Sequence, residues 1–348
     1  MTATHPTTDT AAPAAALTFT LPCPDLGPWR AGNTGTEGVW QFDSGVPGRH
    51  VLITALVHGN ELCGAWALLG LLQAGVRPRQ GVLTLAFGNL AAFDTFDPGN
   101  HDASRCVTED MNRQWSPERL ATPSAASPSP DRQRAIALRP FVQQADWLLD
   151  LHSMHERAAP LLLTGLHPRN VALAQALGNP AHVVVDAGHA DGVRMRDFGR
   201  FGLPDEQAGD CRSLLIECGF HGDLSSRDVA HDMCARFLVT AGTLSAADCQ
   251  RQLPGWQLPN ASQQTQLTVT GAAVAHSERF CFVEPYQGLE TIARAGAVIG
   301  HHDGPGLGEA VTTPHDGCVL VMPSVRQAKA GVTVVRFARA ARLHGQPS

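Results

Sequence analysis

Tyrosine is nearly absent from these 348 residues, with one copy, Tyr286, and lysine is just as scarce, with only Lys329. The cations are therefore almost all arginine, and no block of basic residues forms anywhere. With a formal net charge of −6, this argues against nucleic acid or an anionic membrane as a partner. No apolar run approaches the length needed to span a bilayer. The N-terminus, MTATHPTTDTAAPAAALTF, has no Lys or Arg, and proline interrupts its small residues. It does not read as a signal peptide but as a disordered tail over residues 1–17. The nine cysteines are an odd number and include no CxxC pair. A disulfide framework is thus disfavoured, and a reducing, cytoplasmic setting is expected.

Hydrophobic residues make up 43% and charged residues 17%, ordinary values for a globular protein. The length exceeds what one hydrophobic core usually serves, so one large and one small domain are expected. From GVWQFD to RSLLIECG, β-branched and aliphatic runs read as strands. Between them lie the helical segments ELCGAWALLGLLQAG, RQRAIALRPFVQQA and PRNVALAQALG. A further helix, SSRDVAHDMCARFLVTAGTL, should be opened by capping serines. Alternating strands and helices mean α/β architecture, assigned to residues 18–253. The stretch PSAASPSPD reads as a flexible surface insertion. A Pro-, Asn- and Gln-rich linker, PGWQLPNASQQTQ, follows at 254–266. Beyond it come short strands with Gly-rich turns (LTVTG, RFCFVE, GEAVTTP, DGCVLVMP, GVTVVRFAR), so 254–348 are read as linker and a small all-β domain.

Three predicted strand ends carry chemistry. HVLITALV runs into HGNE, which offers His58 and Glu61; WLLDLHS offers His152; LLIECG offers Glu217. Each has a plain alternative as a polar loop or strand terminus, and Gly-Asn is turn chemistry. Open α/β sheets, however, gather ligand sites at the carboxyl ends of their strands. Two histidines and a glutamate are a catalytic zinc set that leaves a coordination position open for water. A further carboxylate adds the group that takes and delivers the proton. The long segment FDPGNHDASRCVTEDMNRQWSP, which has no strong period, holds Arg105, Asp110, Asn112 and Arg113. Arginine forks pair bidentately with carboxylates, and asparagine adds a fixed donor; the alternative is a solvated loop. Asp150, two residues before His152, shares its strand face and is placed to orient a ligand histidine.

HGNE, DMNR, DLHS and IECG, in this order, resemble the succinylglutamate desuccinylase/aspartoacylase family, a branch of the zinc carboxypeptidase superfamily. The resemblance runs over roughly residues 45–340. It implies a three-layer α/β/α carboxypeptidase-like sandwich followed by a smaller all-β domain that narrows access to the site. It also implies one zinc per chain held by His58, Glu61 and His152, with Glu217 as general base and acid. Arg105 would polarise the scissile carbonyl, and Asn112 and Arg113 would hold a substrate carboxylate. The expected reaction is hydrolysis of the amide bond of a small N-acyl amino acid. Two alternatives stand beside it: a peptide carboxypeptidase and a non-catalytic metal-binding or lipoyl-like interaction module. Lys329, in RQAKAG, is not at the hairpin tip a lipoyl carrier needs. Tyr286 does not fall where aspartoacylases place a pocket tyrosine, so a specificity unlike that of the two namesake enzymes is expected. His155, His189 and His221 match no role in the family, although His155 could stand behind the metal ligands. The expected partner is a small-molecule substrate, with no nucleic acid and no membrane; a homo-oligomer is compatible with the sequence.

Overall fold

The computed structural model describes residues 18–121, 127–188, 191–326 and 328–343. The predicted tail, part of the PSAASPSPD insertion and His189 lie outside the described residues. Among the described residues up to 253 there are seven strands: β1 (Val39–Asp43), β2 (His50–Ala55), β3 (Val82–Phe87), β4 (Trp147–Met154), β5 (Leu161–Leu163), β6 (His182–Val185) and β7 (Arg212–Phe220). Seven more follow: β8 (Thr265–Val274), β9 (Cys281–Phe282), β10 (Thr291–Ile292), β11 (Val298–His301), β12 (Ala310–Thr312), β13 (Cys318–Val321) and β14 (Thr333–Arg342). The main sheet has the order β1-β3-β2-β4-β7-β5-β6-β8-β14-β13-β10, and β12-β11-β9 form a small second sheet. Strands β3, β2, β4 and β7 are mutually parallel.

Both faces of this parallel centre are covered, which is why its strands are nearly continuous apolar runs. Alternate residues of β2 and β4 serve two different cores. Val51, Ile53, Trp147, Leu149 and Leu151 pack with helices α1 (Leu62–Gln73) and α4 (Leu224–Thr240). Leu52 and Leu148 pack on the other side with Ala135, Leu138 and Val142 of helix α2 (Pro130–Gln144). Helix α3 (Pro168–Leu177) ends at Gly178, whose φ of 70° is the left-handed conformation that glycine adopts cheaply. These are the three layers expected. Two local expectations are corrected. Strand β2 stops at Ala55 rather than Val57, because Leu56 turns to φ 57°. Helix α4 is not capped by serine: its N-cap is Asp223, and Ser226, inside the first turn, donates its hydroxyl to the Asp223 carbonyl.

Past helix α5 (Ala246–Gln252), no helix occurs among the described residues. The C-terminal strands join the main sheet through β8, which pairs in parallel with β6, and β14 then pairs with β8 over most of its length. Two apolar clusters, one around Phe280, Ile299, Leu320 and Val335 and one around Leu267, Val319 and Val321, fill this part. From β2 the chain goes outward to β3 and then returns to the other side of β2 to form β4. The carboxyl end of β2 is therefore a point where strand order reverses, the usual place for a ligand crevice.

Candidate metal centre and its surrounding loop

One face of the central strands carries a column of polar side chains. Thr54 of β2 is in register with Asp150 of β4, and His152 of β4 with Glu217 of β7. Asp150 is fully buried and accepts a hydrogen bond from the Thr54 hydroxyl at 2.6 Å. Its other oxygen lies 2.9 Å from His152 Nε2. The face-sharing expected from the two-residue spacing is thus realised as a direct contact. His152 and Glu217 fall inside the last turns of their strands rather than at the final residues, since β4 runs on to Met154 and β7 to Phe220.

His58 and Glu61 sit beyond β2, with Glu61 at the N-cap of α1. The glycine between them is required by contact. A Cβ on Gly59 would stand 2.4 Å from the Ala92 backbone carbon and 2.5 Å from the Ser104 carbonyl oxygen. Gly59 N–H also donates to the Arg105 carbonyl, which fastens the long loop to the strand end. Glu61 then stands between two imidazoles. His58 Nδ1 is 2.7 Å from Oε1, and His152 Nδ1 is 2.7 Å from Oε2. The outer ring nitrogens also face carboxylates: His58 Nε2 is 2.9 Å from Asp110 and His152 Nε2 is 2.9 Å from Asp150.

This arrangement suits a divalent cation. Ligand atoms of His58, Glu61 and His152 all lie within 4.8 Å of one another, and all three residues are buried. The carboxylates facing each Nε2, Asp110 and Asp150, would hold a proton there once a cation took the place of the Nδ1 protons, the tautomer a metal-binding histidine needs. Burial alone would raise the Glu61 carboxyl, but His152 and His58 outweigh it and hold that carboxyl well below the usual carboxylate range. Asp110 is likewise held low, by His58 and Arg105, against its own burial. Glu217 behaves in the opposite way. Its Oε2 is buried without a hydrogen-bond partner. Burial and the charge of Glu61 push its carboxyl up to about 8. A cation bound nearby would draw that value back down.

The long loop supplies the remaining charges. Arg105 Nη2 pairs with Asp110 at 3.0 Å, and Nη1 is 3.7 Å from Glu61. Arg113 Nε pairs with Asp191 at 3.1 Å, and its Nη1 lies 3.7 Å from Asp110. Asn112 accepts a hydrogen bond from Met195 N–H through its side-chain oxygen. Its amide nitrogen stands 3.5 Å from His152 Nε2. That ring nitrogen is committed to Asp150, so the Asn112 NH2 keeps a donor to offer. What shapes the loop is Asp131, at the start of α2. Its carboxylate accepts from the backbone N–H groups of Val107, Thr108 and Glu109, the Thr108 hydroxyl and the Asn89 amide.

All seven residues singled out from the sequence for this site come together. Sequence reasoning assigned no role to Asp110, which nonetheless bridges His58 and Arg105. It also missed a basic group behind the site, where Arg336 of β14 pairs with Asp186 at 3.1 Å and is close enough to feel the Glu217 charge. Asp110 stood in DMNR close to Arg105, but its contact with His58 crosses 52 residues, and Arg336 and Asp186 are likewise remote from each other in the chain. Tyr286 packs edge-on against Phe282 in the C-terminal core.

Residues 47–204 match the succinylglutamate desuccinylase/aspartoacylase catalytic domain. No curated protein matches the chain. Solved structures share its fold at low identity. A succinylglutamate desuccinylase from Vibrio parahaemolyticus is 14% identical, with a TM-score of 0.58 over 88% of this chain and 87% of that one. A succinylglutamate desuccinylase/aspartoacylase from Rhodobacter sphaeroides is 18% identical, with a TM-score of 0.56 over 84% and 87%. The product-bound ectoine utilization protein of Ruegeria pomeroyi is 16% identical, with a TM-score of 0.57 over 84% and 85%. No helix among the described residues is long and apolar enough to cross a membrane.

Proposed function

We propose that the chain, whose residues 47–204 match the succinylglutamate desuccinylase/aspartoacylase catalytic domain, is a zinc-dependent amidohydrolase cleaving small N-acyl amino acids. The carrying observation is the pair of imidazoles that turn Nδ1 to Glu61 and Nε2 to Asp110 and Asp150, next to a buried Glu217 with an unpartnered oxygen. His58, Glu61 and His152 would hold one zinc, which when bound acidifies a water and polarises a carbonyl. Glu217 takes the proton of the attacking water at its free carboxylate oxygen and delivers it to the departing amine nitrogen. Arg105 aims its guanidinium at the carbonyl oxygen as negative charge builds there. Asn112 and Arg113 hold the carboxylate of the amino-acid part, so that the amide is presented at fixed distance. In this organisation residues 18–253 carry the reaction, 254–348 are the linker and β domain beside it, and the enzyme works in the cytoplasm. The test is a panel of N-acyl amino acids offered to the zinc-loaded protein, with the carboxylic acid and free amine quantified. Turnover of small members supports the proposal. Efficient cleavage of long peptides with no turnover of any small member would replace it with a carboxypeptidase.

A further inference from the structure

Two histidines that the proposed chemistry leaves unused, His155 and His221, form a hydrogen-bonded chain that ends on Arg105. His155 Nε2 is 3.3 Å from Arg105 Nη1, and His155 Nδ1 is 2.9 Å from Asp102. His221 Nε2 lies 3.3 Å from that same His155 Nδ1, and His221 Nδ1 is 2.7 Å from the Ser153 hydroxyl. The Ser153 N–H in turn points at Glu61 Oε2, 3.3 Å away.

Proton accounting fixes the direction of this chain. A guanidinium can only donate and an ionised carboxylate can only accept. His155 Nε2 facing Arg105 must therefore carry a lone pair, and the single proton of the neutral ring must sit on Nδ1, where it is donated to Asp102. His221 Nε2 then faces an N–H and must accept, which leaves its own proton on Nδ1, directed at Ser153. Both rings are neutral in this assignment. That agrees with burial, which lowers the proton affinity of His155 and lowers that of His221 strongly.

The consequence falls on Arg105. Its Nη1 has an anionic alternative within 3.7 Å, Glu61 Oε1, and a turn toward it would tie up an oxygen of the metal cluster. His155 offers a neutral acceptor on the other side, held still by Asp102. We propose that His155, fixed by Asp102, is a positioning residue that keeps the Arg105 guanidinium off Glu61 and directed at the substrate carbonyl. This rests on the reading of Arg105 as the carbonyl-polarising group.

The test combines kinetics with the ring tautomer. In the zinc-loaded full chain, His155→Leu should lower kcat by about 10–10²-fold, the effect of a slight misplacement of a reacting group, with KM nearly unchanged. His155→Gln places an amide oxygen near the Nε2 position and should restore most of kcat. Combined with Arg105→Ala, His155→Leu should cause no further loss, because both act through one group. An additive double variant, or a Leu variant altered only in KM, would overturn the proposal. Independently of turnover, long-range 15N NMR of histidine-labelled protein at neutral pH should show His155 protonated on Nδ1 alone. An Nε2–H ring or an imidazolium would overturn it. If no N-acyl amino acid is hydrolysed, the proposed reaction fails while the NMR result still decides whether His155 can accept from Arg105.

Discussion

His152 and Glu217 stand opposite each other in the ladder between β4 and β7, fixed by backbone hydrogen bonds within a sheet buried on both faces. Arg105, Asp110, Asn112 and Arg113 occupy a loop whose only regular structure is two short 3-10 turns, His101–Ser104 and Met111–Arg113. The strand residues therefore owe their geometry to the fold as a whole. The loop residues owe theirs to a few polar contacts, chiefly those to Asp131, the Gly59–Arg105 link and the pairs around Asp110. The sheet places His152 and Glu217, and the turn between β2 and α1 places His58 and Glu61. The proposed metal ligands and proton carrier are thus tied to the core, whereas the loop places the groups proposed to meet the substrate.

On the sheet side the largest effect is expected from Glu217→Gln. The side chain keeps its size and loses its base, so kcat should fall by about 10²–10⁴-fold with metal content unchanged. A near-normal rate would mean that the proton is handled elsewhere. On the loop side Arg105→Ala should lower kcat by about 10²–10³-fold, the usual worth of a donor to developing negative charge.

The loop's dependence on one anchor is sharpened by Asp131→Ala. Five donors lose their acceptor, so stability should fall by about 2–4 kcal/mol, read by denaturant unfolding, and activity should fall with it. The pH dependence has a definite sign. Burial raises the Asp131 carboxyl, but the N–H groups of Val107, Thr108 and Glu109 more than offset this and hold it below its usual value. Its contribution is thus fully present above the ordinary carboxylate range and is lost as pH falls through the depressed folded-state value. The Ala variant should accordingly lose less stability than wild type on acidification; equal losses would remove Asp131 as the anchor. The smallest effect is expected from Arg113→Ala. It should raise KM by about 10–10²-fold, the worth of a charge-assisted hydrogen bond, and leave kcat nearly intact. The opposite split between the two arginines would exchange their roles.

The same division explains what the sequence disclosed. Strands such as VLITA and LLIEC announce themselves by composition, and a histidine or glutamate at the end of such a run stands out against it. The neighbouring Asp150 could be placed by strand parity alone. Asp131 could not be recognised, because it closes PSAASPSPD, read as a flexible surface insertion, whereas the structure buries it in the first turn of α2 with the loop folded over it. Asp110 was visible as part of DMNR, but its partner His58 lies 52 residues earlier, and no local period links them. The joining of β8 to β6 was hidden for the same reason: strand pairing across a linker leaves no signature in either segment.

Zinc stoichiometry of purified wild type, Glu217→Gln and His152→Ala, measured by elemental analysis after chelation and reloading, tests the central division of labour most directly. One zinc per chain is expected in wild type and in Glu217→Gln, and loss of bound zinc in His152→Ala. Full zinc occupancy in His152→Ala, or loss of zinc in Glu217→Gln, would contradict that division of labour.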